Sequence, residues 1–268
     1  MAAFSVVKDT IVSSPVLGTT ELLFRRSVDM DLQPAWVIPG KLFAVPIRGN
    51  ETYINITQSP LNSHASVSLA RDKYFTRRVL ERNDIPNIPF ARPTTHAEAE
   101  AFLAIHETII AKPVSGSGSN DIHLITEVAQ LHALRIEGYI LEKYITGKEM
   151  RYLVLNDSVV GVYRSDYGTS VEVTRALECV SFPRDEWDEA LIESSLHIAR
   201  VMDLSFAAID FLIDGTGCAH VLEVNTMPDL KWFHAPTSGP AVDAAGLFME
   251  ALVANGHRLR STVLIEEG

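Results

Sequence analysis

Cysteine is scarce. Cys179 and Cys218 are the only two in 268 residues, far apart and in no metal-ligand spacing. This argues against a disulfide framework and predicts two buried thiols in a reducing cytoplasm. Long apolar runs are missing too: no stretch approaches the roughly 20 uncharged apolar residues of a membrane span. The opening MAAFSVVKDTIVSS has no basic region followed by an apolar run, so it does not read as a signal peptide. Basic charge is in short supply, with 23 Lys and Arg against 34 Asp and Glu and a net charge of −11. That speaks against adhesion to nucleic acid or to anionic membranes and points to small-molecule partners, since a phosphate needs only a few local cations. No internal repeat or low-complexity tract is visible. What is plentiful is apolar: 47% of the residues are hydrophobic, enough for a sizeable core in about one or two domains.

The order of elements follows from periodicity and turn formers. Lys41–Ile47 and Tyr53–Thr57 flank Arg48-Gly49-Asn50-Glu51 and predict a hairpin. The Ser-rich Leu61–Leu69 begins a helix, and Tyr74, Phe75, Val79 and Leu80 recur at helical spacing until Asn83, before Pro86 and Pro89. Thr95–His106 reads as a helix with Thr95 as N-cap and Glu98 completing a capping box. Strands are expected at Thr108–Lys112, Ile122–Ile125 and Tyr139–Tyr144, with a helix at Thr126–Leu134 capped by Thr126. Glu149–Leu155 and Val159–Arg164 form a hairpin across Asn156-Asp157, and Asp185–Met202 a long amphipathic helix. Phe206–Ile213 and His220–Val224 pair across Asp214-Gly215-Thr216-Gly217, Val242–Asn255 is the last helix, and the tail is an edge strand or unstructured. Hairpins stand where βαβ crossovers would be needed, which favours α+β layers with antiparallel sheets.

Three segments carry chemistry. Asp210 and the run Leu222-Glu223-Val224-Asn225 fall at neighbouring strand ends, with Glu223 and Asn225 on one face. Two carboxylates and an amide oxygen make a hard-oxygen set suited to Mg²⁺, the alternative being an acidic hairpin end in solvent. Lys112, at the end of an apolar strand, precedes Ser115-Gly116-Ser117-Gly118-Ser119. The lysine and the small-residue loop can both serve a phosphate, although such loops are often plain mobile turns. In Glu142-Lys143-Tyr144-Ile145-Thr146-Gly147-Lys148-Glu149, a strand breaks into a linker whose backbone can read an adenine edge while Glu149 accepts ribose hydroxyls. Arg151 and Arg164, on the two strands of the next hairpin, are expected to point at one anion. Ordinary surface ion pairs are the competing reading.

Asp72-Lys73-Tyr74-Phe75-Thr76, Lys112-Pro113 with its loop, Glu142 through Arg151, Ile209-Asp210-Phe211 and Leu222 through Asn225 together resemble the ATP-grasp superfamily over roughly residues 62–255. The approach from Leu61 to Lys73 and the spelling Glu149-Met150-Arg151 look closest to carboxylate–amine ligases of the cyanophycin synthetase, bifunctional glutathione synthetase and RimK-like groups, and more distantly to D-alanine–D-alanine ligase. The resemblance implies an α+β fold with two lobes gripping ATP: residues 1–70 a reduced N-terminal region, 71–146 the small lobe, 147–258 the lobe with the metal site, and 259–268 a tail. It implies ATP with one or two Mg²⁺ ions (Mn²⁺ an allowed substitute). Lys73, Lys112, Ser115, Ser117 and Gly118 would lie at the phosphates, Glu142 near the adenine amino group, and Lys143, Tyr144 and Ile145 in the linker. Glu149 would sit at the ribose, Asp210, Glu223 and Asn225 at the metal, and Arg151 and Arg164 at the transferred phosphoryl group. The implied reaction joins a carboxylate to an amine through an acyl-phosphate, on amino-acid or peptide substrates.

Two departures stand out. Ser119 and Asp121 replace glycines common in such loops, so either Asp121 points away from the phosphates or the loop grips ATP differently. The region before Asp72 is short, which leaves part of the substrate site reduced, open, or completed by a second subunit in a homodimer. Lys231, His234 and His64 are candidates to meet substrate, against the plainer reading of exposed loop residues, and Trp36, Trp187 and Trp232 are expected to pack. A small-molecule kinase and a catalytically silent nucleotide-binding protein are the alternative functions.

Overall fold

The computed structural model describes residues 17–115, 121–166 and 178–255. The first part runs α1 (Thr19–Asp29), β1 (Ala35–Ile38), β2 (Leu42–Ile47), β3 (Asn50–Ile54), α2 (His64–Arg71) and α3 (Lys73–Arg82). It continues through β4 (Phe90–Ala91), α4 (His96–His106), β5 (Ile109–Pro113), β6 (His123–Ile125), α5 (Val128–His132) and β7 (Tyr139–Lys143). Then follow β8 (Gly147–Leu155), β9 (Ser158–Asp166), β10 (Glu178–Ser181), α6 (Glu189–Val201), β11 (Phe206–Asp214), β12 (Ala219–Asn225), α7 (Lys231–His234) and α8 (Ala244–Asn255). The strands form three sheets, ordered β1-β2-β3, β4-β7-β5-β6 and β10-β9-β8-β11-β12. Every pairing between them is antiparallel, as the α+β reading requires. Among the described residues no helix is long and apolar enough to cross a membrane.

Turn chemistry sets the hairpins. Arg48 and Gly49 both have positive φ (51° and 79°), which makes a two-residue turn. Asn50 and Glu51, expected in the turn, therefore pair with Ile47 and Pro46. Glycine is needed where β8 starts against β11: a Cβ on Gly147 would stand 2.3 Å from the Ile213 carbonyl oxygen. Gly147→Ala is expected to cost about 1–3 kcal/mol by forcing these strands apart, read as a lower urea midpoint.

Helix starts follow their caps. Asp72 Oδ1 accepts from the Phe75 N–H at 2.9 Å, and Thr95 accepts from the Glu98 N–H. Four expected starts move, those at Leu61 and Val242 to His64 and Ala244. The helix expected from Asp185 begins at Glu189, because Asp188 takes the Ala190 and Leu191 N–H groups and residues 184–186 form a separate tight turn. The helix expected from Thr126 begins at Val128, since the Gln130 side-chain oxygen accepts the Thr126 and Glu127 N–H groups. Thr126 is not its cap.

Alternation along the five-stranded sheet buries both faces. Tyr152, Val154, Val162 and Phe211 face α6 with Ile198. Leu153, Tyr163 and Phe206 face the side of α7 and α8, with Phe233 and Phe248. Under α4 and α5, Leu103, Ile109, Leu131 and Leu141 close a third cluster. Trp36 packs as expected, stacked on Phe24 at 4.2 Å between ring centroids. One cysteine expectation is corrected: Cys179 is buried, but Cys218 is exposed in the turn between β11 and β12.

Candidate functional site

Pairing in the five-stranded sheet sets Glu223 opposite Asp210, Asp210 opposite Arg151, and Arg151 opposite Tyr163. Directly paired residues share a face, so four functional side chains stand in one row across β12, β11, β8 and β9. Asn225, two residues after Glu223, shares that face. Asp210 is buried, and Arg151 donates to both its oxygens at 2.6 Å. The same guanidinium donates to the Tyr163 hydroxyl oxygen at 3.1 Å. Burial works against the Arg151 charge, yet Asp210, with help from Tyr163 and Glu149, holds its pKa well above the ordinary value. Glu223 is exposed to solvent at the end of this row. There, crowding of its carboxyl by protein raises its pKa first and the Asp210 charge adds to this, against Lys73, Arg151 and Lys112.

The donor set fits a divalent cation. Glu223 and Asp210 face each other as like charges. Glu223 accepts no hydrogen bond from the described residues, and the oxygens of Asp210 and Asn225 keep lone pairs beyond those given to Arg151 and to the Met227 N–H. Hard oxygens with unspent lone pairs suit Mg²⁺.

Two lysines approach from the other half of the chain. Lys73 opens α3, and its N–H donates to the Val114 carbonyl at 2.9 Å, while Asp72 bridges to the exposed Ser115. Burial lowers the Lys73 pKa; Glu223 opposes this and the nearby Lys112 charge adds to it. Lys73 and Lys112 therefore lie within electrostatic reach of the Glu223 carboxylate. Ser117, Gly118 and Ser119 lie outside the described residues. Asp121 is committed elsewhere: it accepts from the Tyr139 hydroxyl at 2.5 Å and bonds His123 at 2.7 Å, and both contacts, Tyr139 first, lower its pKa.

Glu142, expected beside the adenine, is buried between two cations. Arg77 Nε donates to Oε1 and Lys112 Nζ pairs with Oε2, each at 2.8 Å. Burial would raise its pKa, but Arg77 and then Lys112 hold it at about 2, below the ordinary 4.5. For a depressed carboxylate the stabilisation is complete above the ordinary value and is lost as pH falls toward the folded one. That window, from 4.5 down to about 2, carries about 3 kcal/mol. Glu142→Gln is expected to flatten the acid limb of stability there, measured as urea midpoint against pH.

Residues 70–228 match the family model described as the ATP-grasp domain, more than half of the chain. This chain belongs to the ATP-grasp family. It is 25% identical over 209 residues to a probable alpha-L-glutamate ligase of Rhodopirellula baltica, covering 72% of this chain and 49% of that protein. The chain spans about half the length of the first curated relatives it matches. In fold it resembles a bifunctional glutathione synthetase from Pasteurella multocida, with TM-score 0.65 and 14% identity over 88% of this chain and 43% of that one. It also resembles the ATP-grasp ligase PsnB, complexed with a phosphomimetic variant of a minimal precursor, Mg and ADP, with TM-score 0.58 and 22% identity over 72% and 61% of the two chains.

Within this ATP-grasp frame the remaining candidates separate. Lys143 is exposed, Glu149 is half-buried on β8 between Leu212 and Ser165, and the Tyr144 N–H donates to the Thr108 carbonyl in the linker that also holds Ile145. Arg164 does not join Arg151, which corrects the expectation of a shared anion. It pairs with Met150 on the opposite sheet face, its guanidinium over the Phe182 ring. His234 is likewise corrected as a substrate group: its Nε2 accepts the Ala245 N–H at 2.9 Å, and burial lowers its pKa, so the neutral ring caps α8. Lys231 pairs with Asp229 at 3.2 Å beside Trp232, and His64 is exposed at the start of α2. Asp214, Cys218 and His220 gather at the β11–β12 turn, where both Asp214 oxygens are committed to Thr216, Cys218 and His220. Sequence reasoning missed Tyr163 and Arg77. The signal for Arg77 was its place four residues after Lys73, on the same helix face.

Proposed function

We propose that this chain binds ATP with Mg²⁺ and joins a carboxylate to an amine through an acyl-phosphate, releasing ADP and phosphate, with amino-acid or peptide substrates. One observation carries the reading: Lys73 and Lys112 lie within electrostatic reach of the Glu223 carboxylate, beside the Asp210–Arg151 pair. Cations for phosphate oxygens and oxygens for a cation thus meet at one site. Lys73 and Lys112 hold the phosphates, Glu149 takes ribose hydroxyls, and the linker around Ile145 lies along the adenine. Asp210, Glu223 and Asn225 hold the metal, which when bound neutralises charge on the phosphate oxygens. Arg151, fixed by Asp210 and Tyr163, presents a permanent positive charge that needs no reorganisation as charge moves during phosphoryl transfer. The phosphoryl-transfer step requires no general base, because the attacking carboxylate is already ionised. In this reading residues 71–146 form the small lobe and 147–258 the lobe with the metal ligands. The unbridged cysteines are in keeping with a cytoplasmic setting.

The test supplies ATP, Mg²⁺, an amine and a carboxylate labelled with heavy oxygen. Label in the released phosphate supports the acyl-phosphate. AMP and pyrophosphate as the only nucleotide products would sink the mechanism, and a stable phosphorylated product without free phosphate would make the chain a kinase.

A further inference from the structure

Arg77 stands inside the molecule where no surface charge is needed. Its side chain is 3% exposed, as is that of Glu142. The guanidinium touches four groups on three separate segments. Nε donates to Glu142 Oε1 at 2.8 Å on β7. Nη1 donates to Asn87 Oδ1 at 2.9 Å, before β4, and to the Val221 carbonyl at 2.5 Å on β12. Nη2 donates to the Leu222 carbonyl at 2.9 Å. The other oxygen of Glu142 pairs with Lys112.

The two carbonyls sit at a special place. The β11–β12 register runs Asp210 opposite Glu223 and then Phe211 opposite Val221. Leu222 is therefore an extra residue, a bulge that re-aims the strand just before Glu223. Arg77 grips this bulge with one side of its fork and, through Glu142, Lys112 with the other.

Stability alone does not account for the arrangement. A buried ion pair is often no more stable than an apolar replacement of similar volume. A lysine could not serve, because a single ammonium lacks the planar fork that reaches a carboxylate on one strand and two carbonyls on another. We propose that Arg77 is a positioning residue: it sets the phosphate-binding Lys112 and the metal-binding Glu223 at a fixed separation, so that one nucleotide with its cation spans both. The inference rests on the nucleotide reading above.

Calorimetric titration of the full chain with ADP at fixed Mg²⁺, well below the melting temperature, separates the two. Wild type that binds no ADP overturns the nucleotide reading itself. Given wild-type binding, Arg77→Lys is expected to weaken ADP at least about tenfold and to lower kcat at saturating ATP, because charge is kept and only alignment is lost. In a Lys112→Met background the same change should weaken ADP by a smaller factor, since the two residues act through one contact chain. A folded Arg77→Lys protein with wild-type ADP affinity and kcat overturns the proposal, whatever its melting temperature. If Arg77→Lys fails to fold, Asn87→Ala removes one acceptor of the fork and no charge. A loss of ADP affinity of about threefold or more supports the proposal, and unchanged affinity overturns it.

Discussion

Glu223→Ala should lower turnover by about a hundredfold or more while leaving the fold in place. The side chain is exposed and accepts no hydrogen bond from the described residues, so truncation strands no hydrogen-bond donor among them. It also relieves the repulsion with Asp210, which adds to the crowding by protein that chiefly raises the Glu223 pKa. Stability is therefore expected to stay within about 0.5 kcal/mol of wild type. The whole effect falls on the cation and the phosphates it neutralises, so raising Mg²⁺ should recover part of the rate. Turnover and urea unfolding on the same preparation check both halves. A variant working near the wild-type rate would remove Glu223 from the site.

Arg151→Met has the opposite profile and a comparable loss of rate. Asp210, 1% exposed, would lose the cation bound to both its oxygens. A buried carboxylate stripped of its partner costs about 3–5 kcal/mol. Adding Asp210→Asn removes the stranded charge and should restore most of the stability but none of the activity, because a carboxylate of the proposed metal site is gone as well. Unfolding midpoints for the two single variants and the double variant give the coupling. A cost below about 1 kcal/mol for Arg151→Met would mean that the pair is screened by solvent like a surface bridge.

Parts of this arrangement were legible in the sequence and parts were not. The hairpins were, because Arg48-Gly49 and Asn156-Asp157 mark turns between apolar runs whose alternation survives in three dimensions. So was the shared face of Glu223 and Asn225, which strand period alone predicts. The partner of Arg151 was not. Asp210 lies 59 residues away, and only the β8–β11 register brings the two together. Arg164 was misjudged for a related reason: in a hairpin, facing depends on a register that one residue reverses, and Arg151 pairs with Tyr163, not with Arg164. Glu142 was located on its strand, but its neighbours Arg77 and Lys112 arrive from α3 and β5. Tyr163 acts through a contact that only the β8–β9 register creates, and the one local trace of Arg77 was its spacing from Lys73.

The five-stranded sheet has one more property. Its outer strands are not left bare: Asn87 bridges alongside Val221 on β12, and Ser238 bridges alongside Val180 on β10. Open strand edges invite another chain to pair by backbone hydrogen bonds. With a segment laid along each flank, this sheet offers no ready template for strand addition at those positions. There a second copy could meet this sheet only through side-chain surfaces, and strand addition at Val221 or Val180 would first have to displace Asn87 or Ser238.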